Sequence, residues 1–301
     1  MKHPIWTTLS VIAIGASLVA CGGSDDSSSS TTGTLSLGLT DAPVDSLKSV
    51  FITFNGVSMK PADGEAILFE FDEPKTLDLL TLQGGNAAGL LDDATVQAGA
   101  YEWVRLDVSE LDGDLYVIDD NEGQHPLTIP SGAQTGLKLV SGFTVPAGGS
   151  ADFTIDFDVR KSIVDPGGLA GYKLKPALRL IDNVQAGNIG GTVDGALLAA
   201  QCANSQTYAG LVYVFDGTGI VPNDFDGTDP EALMAVPAAD GDTDGIFTYK
   251  AAFLSEGEYT VAYTCSVDEM GANDELTFVG TTSVSVLANE DTTVNFESNA
   301  E

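Results

Sequence analysis

The sequence predicts an all-β protein in which two antiparallel β-sandwich domains follow a disordered tether. Short segments of alternating apolar and polar residues recur between Gly, Asp, Asn and Pro, as in "TLSLGL" (34–39), "YEWVRLDV" (101–108) and "ADFTIDFDV" (151–159). The same pattern restarts after a turn-rich break near residues 185–188, and a serine-rich stretch precedes the first segment. Short strands at regular spacing, with turn residues between them, are typical of sandwiches and barrels.

Residues 1–20 predict a signal peptide. A basic start, "MKH", precedes an apolar run over residues 5–20. A membrane-spanning helix needs about 20 apolar residues, so this run is too short to span, and it has the order of a secretory signal. Its end, "LVAC" (18–21), resembles the lipobox of bacterial lipoproteins. The resemblance implies that the signal is removed before Cys21 and that the Cys21 thiol is acylated.

Residues 21–32 predict a lipidated, flexible tether, because this serine-rich stretch has almost nothing to bury. Lipoproteins with aspartate directly after the cysteine tend to stay at the inner membrane. Gly22 takes that place here, so the resemblance implies the outer membrane. Acyl chains on Cys21 would then attach an exported protein to the cell envelope.

Two domains are expected after the tether, over residues 33–184 and 188–298. The chain has 44 acidic and 12 basic residues and a formal net charge of −32. This charge excludes nucleic acid as a partner, because phosphate neutralisation needs Lys and Arg. The ratio of acidic to basic residues differs between the two domains, since residues 188–301 contain 19 acids and one base, Lys250. Such asymmetry is typical of two units with different surfaces.

The few cysteines and histidines limit the kinds of site that the chain can form. With Cys21 acylated, Cys202 and Cys265 remain in an exported chain, and a disulfide between them is expected. A free thiol pair is the alternative. With His3 in the signal, His125 is the one histidine left. A single histidine excludes a multi-histidine zinc site, and a Ser-His-Asp triad could be built only around His125.

The first domain resembles an uncharacterised family of bacterial and archaeal lipoproteins, a domain of unknown function. The blocks that carry the resemblance are "GTLSLGLTDAPVDSLKSVFITFNGVSMKP" (33–61), "LDLLTLQGG" (77–85), "VQAGAYEWVRLDV" (96–108), "PSGAQTGLKLV" (130–140) and "RKSIVDPGGLAGYKLKPALRLID" (160–182). The resemblance implies a β-sandwich and supplies no catalytic residues.

The second domain resembles the regulatory-like domains of carboxypeptidases and related transthyretin-like sandwiches. The residues that carry this resemblance are "GTVDG" (191–195), "DTDGIFTY" (242–249) and "LSEGEYTVAY" (254–263). It implies a structural or adhesive module. The cysteine pair is not part of the usual pattern of these domains.

Aspartates of the second domain suggest a calcium site. Asp240, Asp242 and Asp244 precede a glycine, as at the start of an EF-hand loop. Ala251 stands where the twelfth-position glutamate should be, so a standard EF-hand is excluded. A different calcium site, with Asp224, Asp226 or Asp229 adding oxygen ligands, is one interpretation. An ordinary hairpin turn, for which Asp-Gly is a signal, is the other.

Two further surfaces are candidates in the first domain. Alternation places Tyr101 and Trp103 on one face of a strand, where the rings could stack on a sugar or be covered by a loop or a neighbouring domain. Basic and acidic residues also alternate on two strands. This pattern predicts either an anion site or cross-strand charge pairs, and the charge pairs are favoured. The basic residues are Lys173, Lys175 and Arg179, and the acidic residues are Asp152, Asp156 and Asp158.

These observations favour a cell-envelope lipoprotein that is a non-catalytic binding or scaffolding module and not an enzyme. Its ligand would be a protein or a polysaccharide. Two alternatives stay open. One is a polysaccharide-active hydrolase built on a carboxylate pair. The other is a structural stalk stiffened by Ca²⁺.

Overall fold

The structure is a computed structural model that describes residues 31–42, 47–109, 111–130, 136–164, 171–202, 209–241, 245–268 and 273–298. The predicted signal peptide, Cys21 and most of the predicted tether lie outside these residues. The first strand begins at Thr32, the last residue assigned to the tether from sequence.

The described residues are nearly all in strands or in the turns that join them. The strands are β1 (Thr32–Ala42), β2 (Leu47–Pro61), β3 (Ile67–Asp78), β4 (Ala88–Gln97), β5 (Gly99–Val108), β6 (Leu115–Asp119), β7 (Gln124–Thr128), β8 (Leu137–Leu139), β9 (Phe143–Val145), β10 (Ser150–Asp158), β11 (Ile163–Val164), β12 (Tyr172–Leu174), β13 (Leu178–Asp182), β14 (Ala186–Val193), β15 (Leu211–Asp216), β16 (Met234–Pro237), β17 (Phe247–Ser255), β18 (Gly257–Thr264), β19 (Phe278–Val286) and β20 (Asp291–Thr293). The helices are α1 (Val159–Ser162), α2 (Gly195–Gln201) and 3-10 turns at Leu79–Thr81 and Asn183–Gln185. The predicted all-β class is confirmed.

Residues 32–182, here the first unit, form two sheets around one core. The first sheet has the strand order β13-β10-β1-β4. The second has the order β11-β12-β7-β6-β2-β5-β8, with β3 also paired to β2 and β9 to β5. Alternation in β1 buries Leu35, Leu37 and Leu39, and these join Ile155 of β10 and Phe54 of β2 in the core. Most pairings are antiparallel, but β1 pairs with β10 in parallel.

Residues 186–298, here the second unit, also form two sheets. Their strand orders are β17-β14-β20 and β16-β15-β18-β19. Strand β15 reads "LVYVF" and is buried on both faces. Its Val212 and Val214 enter the main core of this unit, while Tyr213 joins a smaller apolar cluster with Phe225. The sheets change from one unit to the other across the 3-10 turn Asn183–Gln185.

Two local features of the fold follow from single residues. The predicted disulfide between Cys202 and Cys265 is confirmed, with Cα atoms 5.2 Å apart, and it links the end of α2 to the end of β18. Gly191 lies in β14 between two neighbours, where a Cβ atom would stand 1.9 Å from the carbonyl oxygen of Val294. Only glycine fits at that position.

The leucine-rich stretch 77–94 has one 3-10 turn at Leu79–Thr81 and then enters strand β4. The expected strand of alternating basic residues is refined by the structure. The basic segment 172–180 is not one strand, because β12 and β13 belong to different sheets. Over the described ranges, no helix is both long and apolar enough to span a membrane.

Candidate functional site

A buried junction joins the two units through the short helix α1. Its first turn is capped by Asp158, whose Oδ1 accepts the backbone N–H of Lys161 at 3.0 Å. Arg160 then extends into the second unit, where its Nη2 lies 3.0 Å from Asp268 Oδ2 and donates to the Asp268 carbonyl oxygen at 2.9 Å. The guanidinium carbon lies 4.5 Å above the ring centroid of Phe225. The junction therefore combines an ion pair with a cation–π contact.

Lys161 adds a second link beside Arg160. Its Nζ donates to the carbonyl oxygen of Ala232 at 3.0 Å and lies 3.8 Å from Glu231 Oε1. On its own unit the same Nζ lies 3.4 Å from Asp158 Oδ2. Two consecutive basic residues of the first unit thus contact the acidic second unit.

Asp268 is the anchor of this junction and is held by several donors. Its Oδ2 accepts the hydroxyl of Tyr213 and, at 3.3 Å, the backbone N–H of Phe225, in addition to Arg160. Both aromatic rings belong to the small apolar cluster on the outer face of β15. Residues of the second unit therefore help to hold Asp268 in the position where Arg160 contacts it.

Three carboxylates meet next to the junction. One oxygen atom from each of Asp224, Asp268 and Asp274 lies within 4.8 Å of the others. They come from the loop after β15 and from the segment between β18 and β19. The two segments are tied together because the backbone N–H of Asp274 donates to Asp224 Oδ2. Carboxylate oxygens so arranged are of the kind that bind hard divalent cations.

This cluster differs from the calcium ligands expected from sequence. Asp224 belongs to it, but Asp226 does not. The side chain of Thr228, with its backbone N–H and Asn273, hydrogen-bonds the Asp226 carboxylate and holds its pKa below the usual range. Asp240, between β16 and β17, accepts the backbone N–H of Gly245 at 2.9 Å.

The other two expected ligands, Asp242 and Asp244, lie outside the described residues. Sequence reasoning missed Asp268 and Asp274. They are far from Asp224 along the chain and show no ligand spacing, so the one available signal was the acidic content of the segment after β18.

Two buried acids of the first unit face the second unit across a narrow cleft. Burial raises the pKa of Asp41 well above its ordinary value, and the charges of Asp156 and Asp158 add to this, although the Val159 N–H opposes it. Burial also raises the pKa of Asp156, with Arg179 opposing it. The cleft has a volume of about 10 Å³. That is room for about one water molecule.

The expected aromatic surface on β5 is not formed. Tyr101 is 2 % exposed and stacks on Phe143 at 4.8 Å, so it belongs to the core. A register shift between β2 and β5 is the reason, since Lys60 pairs with Trp103 but the next residue, Pro61, pairs with Tyr101. This bulge turns Tyr101 to the opposite face.

Trp103 remains half-buried on the other face. Its ring is covered by cations, with Lys138 Nζ at 4.4 Å and the Arg105 guanidinium carbon at 5.6 Å from the ring centroid.

The charged strands form a cross-strand pair, as favoured from sequence. Asp156 of β10 lies directly opposite Arg179 of β13, and Arg179 Nη2 is 2.7 Å from Asp156 Oδ2. Lys173 lies in β12 of the other sheet and takes no part in this pairing.

Comparisons with known proteins address the first unit most directly. Residues 32–176 match the family model DUF4382, a domain of unknown function. The match confirms the resemblance expected for the first unit. The DUF4382 segment includes Arg160 and Lys161, so the basic side of the junction lies within it. The match ends before the second unit, whose resemblance to carboxypeptidase regulatory-like sandwiches stays a prediction. No curated protein matches the chain.

Among solved structures, similar chains include the TIE protein of Bacillus anthracis, the minor pilin GBS52 of Streptococcus agalactiae and a putative adhesin from Bacteroides ovatus. The first is 12 % identical with a TM-score of 0.20, covering 89 % of this chain and 34 % of that one. The pilin is 11 % identical (TM-score 0.20; 87 % and 94 % covered). The adhesin is 9 % identical (TM-score 0.20; 90 % and 94 % covered). This chain spans about a third of the TIE protein, and similarity at this level transfers no function.

Proposed function

We propose that this chain is an exported, lipid-anchored cell-envelope protein that works as a non-catalytic scaffold. Its first unit carries the second in a fixed arrangement, and the scaffold presents a surface to a protein or polysaccharide ligand. The observation that carries the proposal is the junction in which Arg160 of the first unit pairs with Asp268 of the second.

The burial of this ion pair supports a fixed arrangement. The side chain of Arg160 is 4 % exposed and that of Asp268 is fully buried. Both charges are excluded from water only while the two units are in contact, so the burial of the pair depends on that contact. Two units joined by a flexible hinge would instead expose such groups to water.

The N-terminal sequence and the disulfide support export to the envelope. Disulfides persist in oxidising compartments, and Cys202 is bonded to Cys265. The lipobox-like end at Cys21 supports anchoring by acyl chains, with Gly22 favouring the outer membrane.

The surroundings of the two acids with raised pKa support a role without catalysis. A glycoside hydrolase needs a carboxylate pair with space for a sugar and, in inverting enzymes, for a water molecule between them. Asp41 and Asp156 instead face a cleft of about 10 Å³. These carboxyls thus have a perturbed pKa because they are packed between units.

Cell fractionation tests the envelope half of the proposal. Cys21→Ser should move the protein from the membrane fraction to the soluble exported fraction, whereas the control Ser24→Ala should leave it in the membrane. Unchanged fractionation of Cys21→Ser would overturn the anchor.

Hydrogen exchange tests the scaffold half. In Arg160→Met, faster exchange is expected at the amide of Phe225, which donates to Asp268. The control Lys173→Met, an exposed residue of β12, should leave that amide unchanged. Equal exchange in wild type and Arg160→Met would contradict a junction that couples the units.

A further inference from the structure

The acidic cluster beside the junction contains buried oxygen atoms that the protein does not satisfy. Asp224 is 1 % exposed and Asp268 is 3 % exposed. The Oδ2 atom of each accepts hydrogen bonds, from Asp274 N–H in one case and from Tyr213, Phe225 and Arg160 in the other. The Oδ1 atom of each is buried and accepts none from any described residue. A buried acceptor without a partner costs about 1–3 kcal/mol, and more when charged.

The local charge is also unbalanced. Among the described residues, three carboxylates meet here and Arg160 contributes one positive charge, which leaves an excess of two negative charges. Lys161 is engaged by Asp158 and Glu231. Lys250, the one base of the second unit, lines the separate cleft beside Asp41. A divalent cation would supply the two charges that the protein does not.

We propose that Asp224, Asp268 and Asp274 bind a calcium ion. Oxygen ligands lie 2.3–2.6 Å from Ca²⁺, so two ligands of one ion are at most about 5 Å apart. The three carboxylate oxygens, within 4.8 Å of one another, meet this limit. All three residues lie outside strands and helices. Ca²⁺ accepts such irregular ligand sets, whereas Mg²⁺ demands near-ideal octahedral geometry.

The ion and Arg160 use different atoms of Asp268. Arg160 pairs with Oδ2, and the unsatisfied Oδ1 is left for the ion. Calcium would thereby hold the loop that contains Asp224 against the segment that contains Asp268 and Asp274. Since Asp268 is the anchor of the junction, calcium binding stabilises the contact between the two units as well as the second unit itself.

Calorimetric titration of the full chain tests this site. The protein is purified in mild detergent, stripped with a chelator, desalted and titrated separately with CaCl₂ and MgCl₂, with thermal melts in parallel. Extracellular calcium modules bind in the range of about 0.1–1 mM, so the titration extends to about 10 mM. The variants are Asp224→Asn, Asp274→Asn and the control Asp226→Asn, which lies in the same loop but outside the cluster.

The expected result is one calcium site per chain with a rise in Tm, since a ligand that binds the folded state stabilises it. Asp224→Asn and Asp274→Asn should each weaken binding by about tenfold or more, and Asp226→Asn should change it less than about twofold. Near-UV circular dichroism monitors folding. If Asp224→Asn fails to fold, Asp274→Asn decides, because Asp274 is half-buried.

Three results would overturn the proposal. They are no heat and no Tm shift with CaCl₂, equal or tighter binding of Mg²⁺, or a loss of binding in Asp226→Asn that matches the loss in Asp274→Asn.

Discussion

Arg160 Nη2 and Asp268 Oδ2 lie 3.0 Å apart across the boundary between the two units, although the residues are 108 positions apart in the chain. The one base of the second unit, Lys250, lines a separate cleft, and the cation that contacts buried Asp268 belongs to the first unit. Arg160 is the second residue of α1, two positions after the capping Asp158. The pair therefore links α1 of the first unit to a buried carboxylate of the second.

Removing the Arg160 guanidinium alone should destabilise the protein more than removing both charges of the Arg160–Asp268 pair. Arg160→Met should lower the free energy of unfolding by about 3–5 kcal/mol, because Asp268 is left buried and unpaired. The double variant Arg160→Met/Asp268→Asn should recover part of this loss. Chemical denaturation of wild type, both single variants and the double variant gives the coupling energy. A coupling energy of zero would show that the pair contributes nothing.

The burial of Asp41 predicts that the stability of the protein depends on pH in an unusual direction. Its folded-state pKa is raised by burial, so the stability associated with its protonated form is fully present below the unfolded pKa and is lost as the pH rises through the folded pKa. Asp41→Asn should therefore raise the free energy of unfolding at pH 7 by about 1 kcal/mol or more, and should give no gain near pH 3. Denaturant melts at both pH values measure this. The control is Asp72→Asn, because Asp72 is exposed and its replacement should change the free energy of unfolding little at either pH. A loss of stability at pH 7 in Asp41→Asn would contradict the prediction.

Two glycines of the second unit should respond in opposite directions to alanine. Gly191→Ala should prevent folding of the second unit or destabilise it strongly, since the new Cβ would overlap the Val294 carbonyl. Gly195 begins α2 and has no atom within 4 Å of the Cβ position. Gly195→Ala should stabilise by up to about 1 kcal/mol through helix propensity. Thermal melts compare the two, and an equal effect would contradict the described packing of β14.

The disulfide should contribute substantially to stability. Cys202 and Cys265 are 63 residues apart, and closing a loop of this length is worth about 4 kcal/mol in the chain-entropy model. The double variant Cys202→Ala/Cys265→Ala should lose about that amount in denaturant melts, and adding a reductant should then change nothing further. Wild type that melts identically with and without reductant would contradict this prediction.

Local patterns were sufficient to locate several strands of this fold. Alternation located β1, β5 and β10, and the opposed charges of Arg179 and Asp156 correctly indicated neighbouring strands. The pairing of Cys202 with Cys265 followed by elimination, on the expectation that the chain is exported and that Cys21 is acylated. Each of these inferences needs only a period of two or a count of residues.

Features that depend on tertiary geometry were missed. Strict alternation placed Tyr101 beside Trp103, but a bulge in the pairing of β5 with β2 puts Tyr101 in the core. Asp224 meets Asp268 and Asp274 because two loops of the folded unit converge, and no sequence spacing encodes that approach. The role of Arg160 was invisible for the same reason, since its partner belongs to the other unit.

Differential scanning calorimetry of the full chain tests whether the junction couples the two units. We expect wild type to unfold in one cooperative transition and Arg160→Met to unfold in two. Two independent transitions in wild type, with the second unit melting at the same temperature in Arg160→Met, would contradict the scaffold.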